Sequence, residues 1–155
     1  MSSPRPPAVL GPTDTLSGSE LAQEPMFLMA RASSLGSAAA NRALDELNLK
    51  VRHYSALSLA CSGLEPTQRD LSRYLVLDPS QIVLIVDSLE QRGAVERRTD
   101  PSDRRSKIIQ PTDAGRALYR KAKAAVDAST DQTLAPLSTP EREALQDLLR
   151  RVALR

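Results

Sequence analysis

The chain has 155 residues with 21 Lys or Arg against 19 Asp or Glu, one His, one Cys and no Trp, and only 3% of it is aromatic. That length suits one core, and a core short of aromatic bulk must be built from Leu, Val, Ile and Ala, which favours packed helices. Cys61 alone excludes an intrachain disulfide and a cysteine-rich zinc site, and no apolar run nears the roughly 18 residues of a membrane span. With no basic-then-apolar leader at the N-terminus, a soluble cytoplasmic protein is expected.

Residues 1–19 mix Pro, Ser, Gly and Thr with neither secondary-structure period and read as a flexible tail before a single domain over 20–155. A long first helix is predicted over about residues 24–47, where Leu28, Ala32, Leu35, Ala39, Ala43 and Leu47 recur at spacings of three and four. Its alanines permit close approach of another helix, from a partner subunit or from the same chain. A shorter second helix carries Val51, Tyr54 and Leu57 and ends before Gly63 and Pro66. Thr67 can cap a third, "TQRDLSRYL".

The fourth helix has both ends written. Asp78 is the N-cap, Pro79 the first helical residue, Gln81 the third position of a capping box and Gly93 the stop. Ile82, Ile85, Val86 and Leu89 share one face, while Ser80, Gln81, Val83, Leu84 and Ser88 lie outside it or at its edge. The third and fourth helices, joined by a short turn, make a helix-turn-helix. The period then changes to two: "AVERRT" and "SKIIQ" are short strands around the turn "DPSDRR". Thr112 caps a fifth helix with Leu118, Ala122, Ala125 and Val126 on one side. Ser138 or Thr139 opens a sixth, with Pro140 inside its start and Leu145, Leu148, Leu149 and Val152 on one face. Arg150, Arg151 and Arg155 complement the dipole of that helix and are assigned no ligand role.

Charge is unevenly spread. From Glu90 to Lys123 ten cations face five carboxylates, so this half is the candidate contact surface although the whole chain carries only +2.

Mainly helical, with six helices and a two-stranded wing, the pattern is a winged helix-turn-helix between terminal helices. Within "LDPSQIVLIVDSLEQRGAVERRTDPSDRRSKIIQPTDAGRAL", the residues Leu89, Glu90, Gly93, Val95, Arg97, Asp100, Asp103, Arg105, Thr112 and Gly115 keep a characteristic spacing. This stretch resembles the MarR family of dimeric bacterial transcription regulators. The resemblance implies dimerisation helices over 20–50 and 113–155 and a DNA-binding lobe over 51–112. It also implies a homodimeric repressor of a pseudo-palindromic operator, released by a small-molecule effector, with the fourth helix in a major groove and half-sites about 10 base pairs apart.

The DNA-contact candidates are Thr67, Gln68, Arg69 and Arg73 on the third helix, Pro79, Ser80, Gln81, Val83, Leu84 and Ser88 on the fourth, and Arg97, Arg98, Asp103, Arg104, Arg105 and Lys107 on the wing. Family resemblance gives Asp103 the task of orienting Arg105, and a narrow minor groove attracts arginine through its concentrated negative potential. Val83 and Leu84 depart from the polar or basic residues many relatives carry, and suit thymine methyl groups better than hydrogen-bonded base edges. Pro111 departs from the usual leucine before the threonine. Arg31, His53 and Tyr54 are candidates for the effector cleft, against a plainer reading of Tyr54 as core and His53 as surface. Cys61 has no obvious basic neighbour and reads as an inert buried thiol.

No nucleophile with a base, metal cluster or phosphate-cradling loop is visible, so no enzyme and no cofactor are expected. The competing reading is a winged helix used for protein contacts without sequence-specific DNA reading, which the apolar Val83 and Leu84 favour.

Overall fold

The computed structural model describes residues 15–154. The expected tail therefore lies outside the described residues up to position 14, and within 15–19 the Ser19 amide donates to the Leu16 carbonyl at 3.0 Å. The chain divides into two compact units between Leu35 and Gly36.

The first unit contains a 3-10 turn, Glu20–Gln23, and the opening turns of helix α1, Pro25–Leu44. Leu28 and Leu35 are exposed here.

The second unit holds the rest of α1, a 3-10 turn Asp45–Leu47, α2 (Val51–Ala60), α3 (Gln68–Leu75), α4 (Pro79–Gln91), strands β1 (Val95–Thr99) and β2 (Lys107–Pro111), α5 (Asp113–Thr133) and α6 (Thr139–Ala153). The strands pair antiparallel with Val95 opposite Pro111 and Thr99 opposite Lys107. Pro111 is thus tolerated as the last residue of its strand, where the missing N–H is least costly. The segment before α3 joins the wing as well: the Ile109 amide donates to the Pro66 carbonyl at 2.8 Å, and Thr67 bridges to Ile108.

The core lies inside the helix-turn-helix lobe. Leu44, Leu49, Leu57, Leu71, Ile82, Val86, Leu89, Val95 and Ile109 are its largest fully buried side chains. Burying each aliphatic side chain contributes about 1.5–3 kcal/mol, which is what fixes the register of α4 beneath its exposed face. α6 buries none of its residues; Leu148, Leu149 and Val152 are open, and a cleft of about 700 Å³ between α5 and α6 is lined by Leu134, Leu145 and Leu149 among others.

The threonine and glycine of the "T-x-x-G" spacing have a geometric cause. Thr112 donates its hydroxyl to the Gly93 carbonyl at 2.5 Å and its amide to the Ala94 carbonyl at 3.0 Å, and its oxygen accepts from the Gly115 amide at 3.0 Å. A Cβ on Gly115 would stand 1.8 Å from the Ala94 carbonyl oxygen. Only glycine lets the first turn of α5 press against the backbone entering the wing.

No described helix is long and apolar enough to cross a membrane.

Candidate nucleic-acid interface

α4 is aimed by its two ends. The Asp78 side chain accepts from the Ser80 amide at 2.8 Å and from the Ser80 hydroxyl, and these bonds hold the Asp78 carboxyl below its ordinary range. Gln81 does not complete the expected capping box: its backbone amide bonds the Asp78 carbonyl, and its carboxamide stays exposed without a partner among the described residues. The capping box appears instead on α3. There the Asp70 amide donates to the Thr67 hydroxyl oxygen at 3.2 Å and the Thr67 amide donates to Asp70 at 2.9 Å, while the Thr67 hydroxyl also turns to that carboxylate. Thr67 is therefore a helix cap whose hydroxyl proton is already committed.

At the far end, Gly93 adopts φ of 67°, which ends α4 and turns the chain into β1. Arg92 donates to the carbonyls of Asn48 and Leu47 at 2.7 Å each, tying this end to the turn after α1. Sequence reasoning missed that clamp, because its partners are backbone atoms 44 and 45 residues away.

Arg97, a DNA-contact candidate in the sequence, is bonded within the protein: its guanidinium donates to Asp87 and Glu90 on α4 and, at 2.7 Å, to Gln68 on α3. Burial alone would lower its pKa, but the bonds to both carboxylates more than offset that and raise it. Each of the three guanidinium nitrogens thus has a partner within the protein, which leaves little of the fork for a bidentate phosphate contact. Gln68 is committed by the same bond and is half-buried. The "LE-x-x-G-x-V-x-R" spacing contained Glu90 and Arg97, but nothing in it named Asp87 as the second acid.

The wing tip is also built differently from the expectation. Asp103 accepts from the Arg105 backbone amide at 3.0 Å, not from its guanidinium, and its own carbonyl accepts from Ser106 at 2.9 Å. Asp100 forms a parallel turn, accepting from the Ser102 amide at 2.8 Å and hydroxyl at 2.7 Å. Asp103 thus shapes the loop and leaves the Arg105 side chain directed by loop geometry alone. Arg104 and Arg105 are exposed, with no ion pair among the described residues. Arg98 is exposed but paired with Glu96 on its own strand, and Lys107 donates to the Thr99 hydroxyl at 2.8 Å. Arg69 and Arg73 are exposed on α3, Pro79 and Ser80 on α4, and Ser88 is half-buried.

The exposed face of α4 is apolar at its centre: Leu84 is 70% exposed and Val83 39%. The carboxylates of the helix pair are turned to partners, Asp70 to Thr67, Asp78 to Ser80, and Asp87 and Glu90 to Arg97. An exposed helix face of this kind has the shape that a major groove accepts.

The effector candidates fall in different places. Arg31 is exposed in the first unit, beside Phe27, Ala30, Ser34 and Leu35. Tyr54 is half-buried and stacks on Tyr119 of α5 with ring centroids 6.1 Å apart. His53 is half-buried with Nδ1 sealed from solvent and unbonded among the described residues; burial first, and Arg92 second, lower its pKa. Cys61 does have basic neighbours, supplied by α5: Arg116 and Arg120 act to lower its pKa, but burial outweighs them and raises it. A thiol held protonated is a poor nucleophile. Among the described residues no group of three His, Cys, Asp or Glu is placed to hold a metal ion.

A capped helix pair, a cationic wing and a last helix whose leucines stay open define a winged helix-turn-helix fold. A family model, described as the MarR family, matches residues 53–107. A MarR-family transcriptional regulator from Rhodococcus sp. RHA1 shares 40% identity over 87% of this chain and 96% of its own, with a TM-score of 0.82. CouR from Rhodococcus jostii RHA1, solved bound to p-coumaroyl-CoA, shares 42% identity over the same shares of each chain, with a TM-score of 0.79. A transcriptional repressor of Mycobacterium tuberculosis is 26% identical over 81% of this chain and 91% of its own length. The match to a Bacillus subtilis regulator, 31% identical over 62% of this chain, spans only 58% of that protein. The chain belongs to the MarR family of transcription regulators.

Proposed function

We propose that the protein is a cytoplasmic, non-catalytic homodimeric repressor that binds a pseudo-palindromic operator with α4 in successive major grooves and the wing arginines over the flanking minor grooves. The observation that carries this is an exposed α4 face on a capped helix pair, together with exposed arginines on α3, Arg69 and Arg73, and on the wing, Arg104 and Arg105. Burying the leucines of α6 and the cleft beside it against a second copy accounts for an apolar face that a monomer would leave in water.

Release by a small molecule is part of the reading. CouR is described bound to p-coumaroyl-CoA, so an aromatic acyl thioester is the effector class proposed for this chain. Such a ligand lowers operator affinity only by its differential affinity for two arrangements of the reading heads.

The test is selection of genomic fragments by the full-length protein, followed by gel shift with and without p-coumaroyl-CoA. Enrichment of an inverted repeat, with a dimer on each site, supports the reading. Uniform recovery of fragments favours a winged helix used for protein contacts.

A further inference from the structure

We infer that α4 selects its operator through the 5-methyl group of thymine, with Leu84 as the specificity-determining side chain. This rests on the operator-binding reading above and goes further, because it names the chemical feature that is read.

Few side chains of α4 are free to read a base edge. Ile82, Ile85, Val86 and Leu89 are buried and unavailable. The Ser80 hydroxyl donates to Asp78, and Asp87 is taken by Arg97. Ser88 is half-buried. That leaves Gln81 as a polar reader on the first turns, beside Val83 and Leu84. On a helix, Leu84 stands one turn on from Ser80 and Gln81 and one turn before Ser88, at the middle of the exposed stripe. It is the most open large apolar side chain of α4, at 70%.

A leucine pressed into a major groove cannot satisfy the N4 amine of cytosine, the N6 amine of adenine or the O6 and N7 acceptors of guanine, and covering them leaves polar groups desolvated. Against thymine it meets a methyl group. Each half-site should therefore present a thymine where Leu84 lands, and the discrimination should follow the methyl group and not the base pair. A protein partner on the same apolar patch is disfavoured by the exposed cations of the neighbouring α3 and wing, Arg69, Arg73, Arg104 and Arg105, which suit a polyanion.

The experiment uses a duplex selected by the full-length protein from a random pool, in which each thymine is replaced singly by deoxyuridine, a change that removes only the methyl. Fluorescence anisotropy would then be measured for wild type and for Leu84→Ala, with circular dichroism confirming that the variant folds. One thymine per half-site is expected to cost about fourfold in affinity on replacement, the worth of one buried methyl group. Leu84→Ala should be indifferent to that same replacement. Where that T·A pair is changed to C·G, 5-methylation of the cytosine should restore part of the loss, since its methyl occupies the same place. If no deoxyuridine replacement alters affinity while the selected duplex is still preferred over a scrambled one, the methyl reading is overturned and operator binding stands. If the pool yields no preferred duplex, operator binding itself fails and the inference falls with it.

Discussion

The guanidinium of Arg97, on the first strand of the wing, donates to the carboxylate of Asp87 in the body of α4. Together with the bonds to Glu90 and Gln68 it ties the wing to both helices of the helix-turn-helix. Arg97→Ala should cost about 2 kcal/mol of stability, between the values for exposed and buried pairs, since Arg97 is 23% exposed but its acids are more open. Urea denaturation measures it, and the salt slope of DNA binding should stay unchanged because no phosphate contact is lost. A shallower slope would restore the phosphate role.

Arg105 should behave in the opposite way. Arg105→Ala leaves no internal partner behind among the described residues, so stability should hold within about 0.5 kcal/mol. Operator affinity should fall, with the slope of log K against log salt shallower by about one per wing. Equal affinity and slope would remove the wing from the contact.

Gly115→Ala should be among the most damaging single substitutions in the lobe. The added Cβ meets the Ala94 backbone, whose carbonyl is held in place by the Thr112 amide. A loss of about 3 kcal/mol or more is expected in thermal or urea unfolding. A near-neutral result would mean that α5 can slide away from the wing.

Val76 ends α3 with φ of 53° and ψ of 48°, a left-handed conformation that a β-branched residue adopts at a cost of roughly 1–2 kcal/mol, and it is 87% exposed. Val76→Asn should therefore raise stability by about 0.5–1 kcal/mol, since asparagine tolerates that region and no buried area is lost. Unchanged or lower stability in urea would show that Val76 makes a contact worth keeping.

His53 predicts a pH dependence. Its folded pKa lies below the ordinary 6.5, chiefly through burial, so the unfolded chain binds the proton more readily. Its contribution is present in full above pH 6.5 and is lost as pH falls from there through the lower folded value. His53→Gln should flatten the stability curve in that window and leave the acid limb below the carboxylate range, where Asp70 is protonated, in place. An unaltered slope would assign the window to other groups.

The helices were legible because their ends and faces were both written: Asp78, Pro79 and Gly93 delimit α4, and Ile82, Ile85, Val86 and Leu89 occupy its buried side. The partners of polar groups were not. Whether Arg97 meets a phosphate or Asp87 depends on how β1 folds back over α4, a long-range relation that no local period encodes. For the same reason Arg116 and Arg120 were invisible as neighbours of Cys61, and the Asp103 to Arg105 contact could be foreseen as a pair without its being backbone-directed. Exposed Leu84 was legible as a departure from its relatives, and the structure sharpened it by showing how few polar side chains beside it remain free.

The measurement that bears most directly on the central claim is fluorescence anisotropy of the full-length protein on its selected inverted repeat and on a scrambled duplex of equal composition, across a series of salt concentrations. The account predicts binding as a dimer, a steep fall of affinity with salt on both duplexes, and a preference for the repeat of at least about a thousandfold near physiological salt. Equal affinity for the two duplexes at every salt concentration would contradict it.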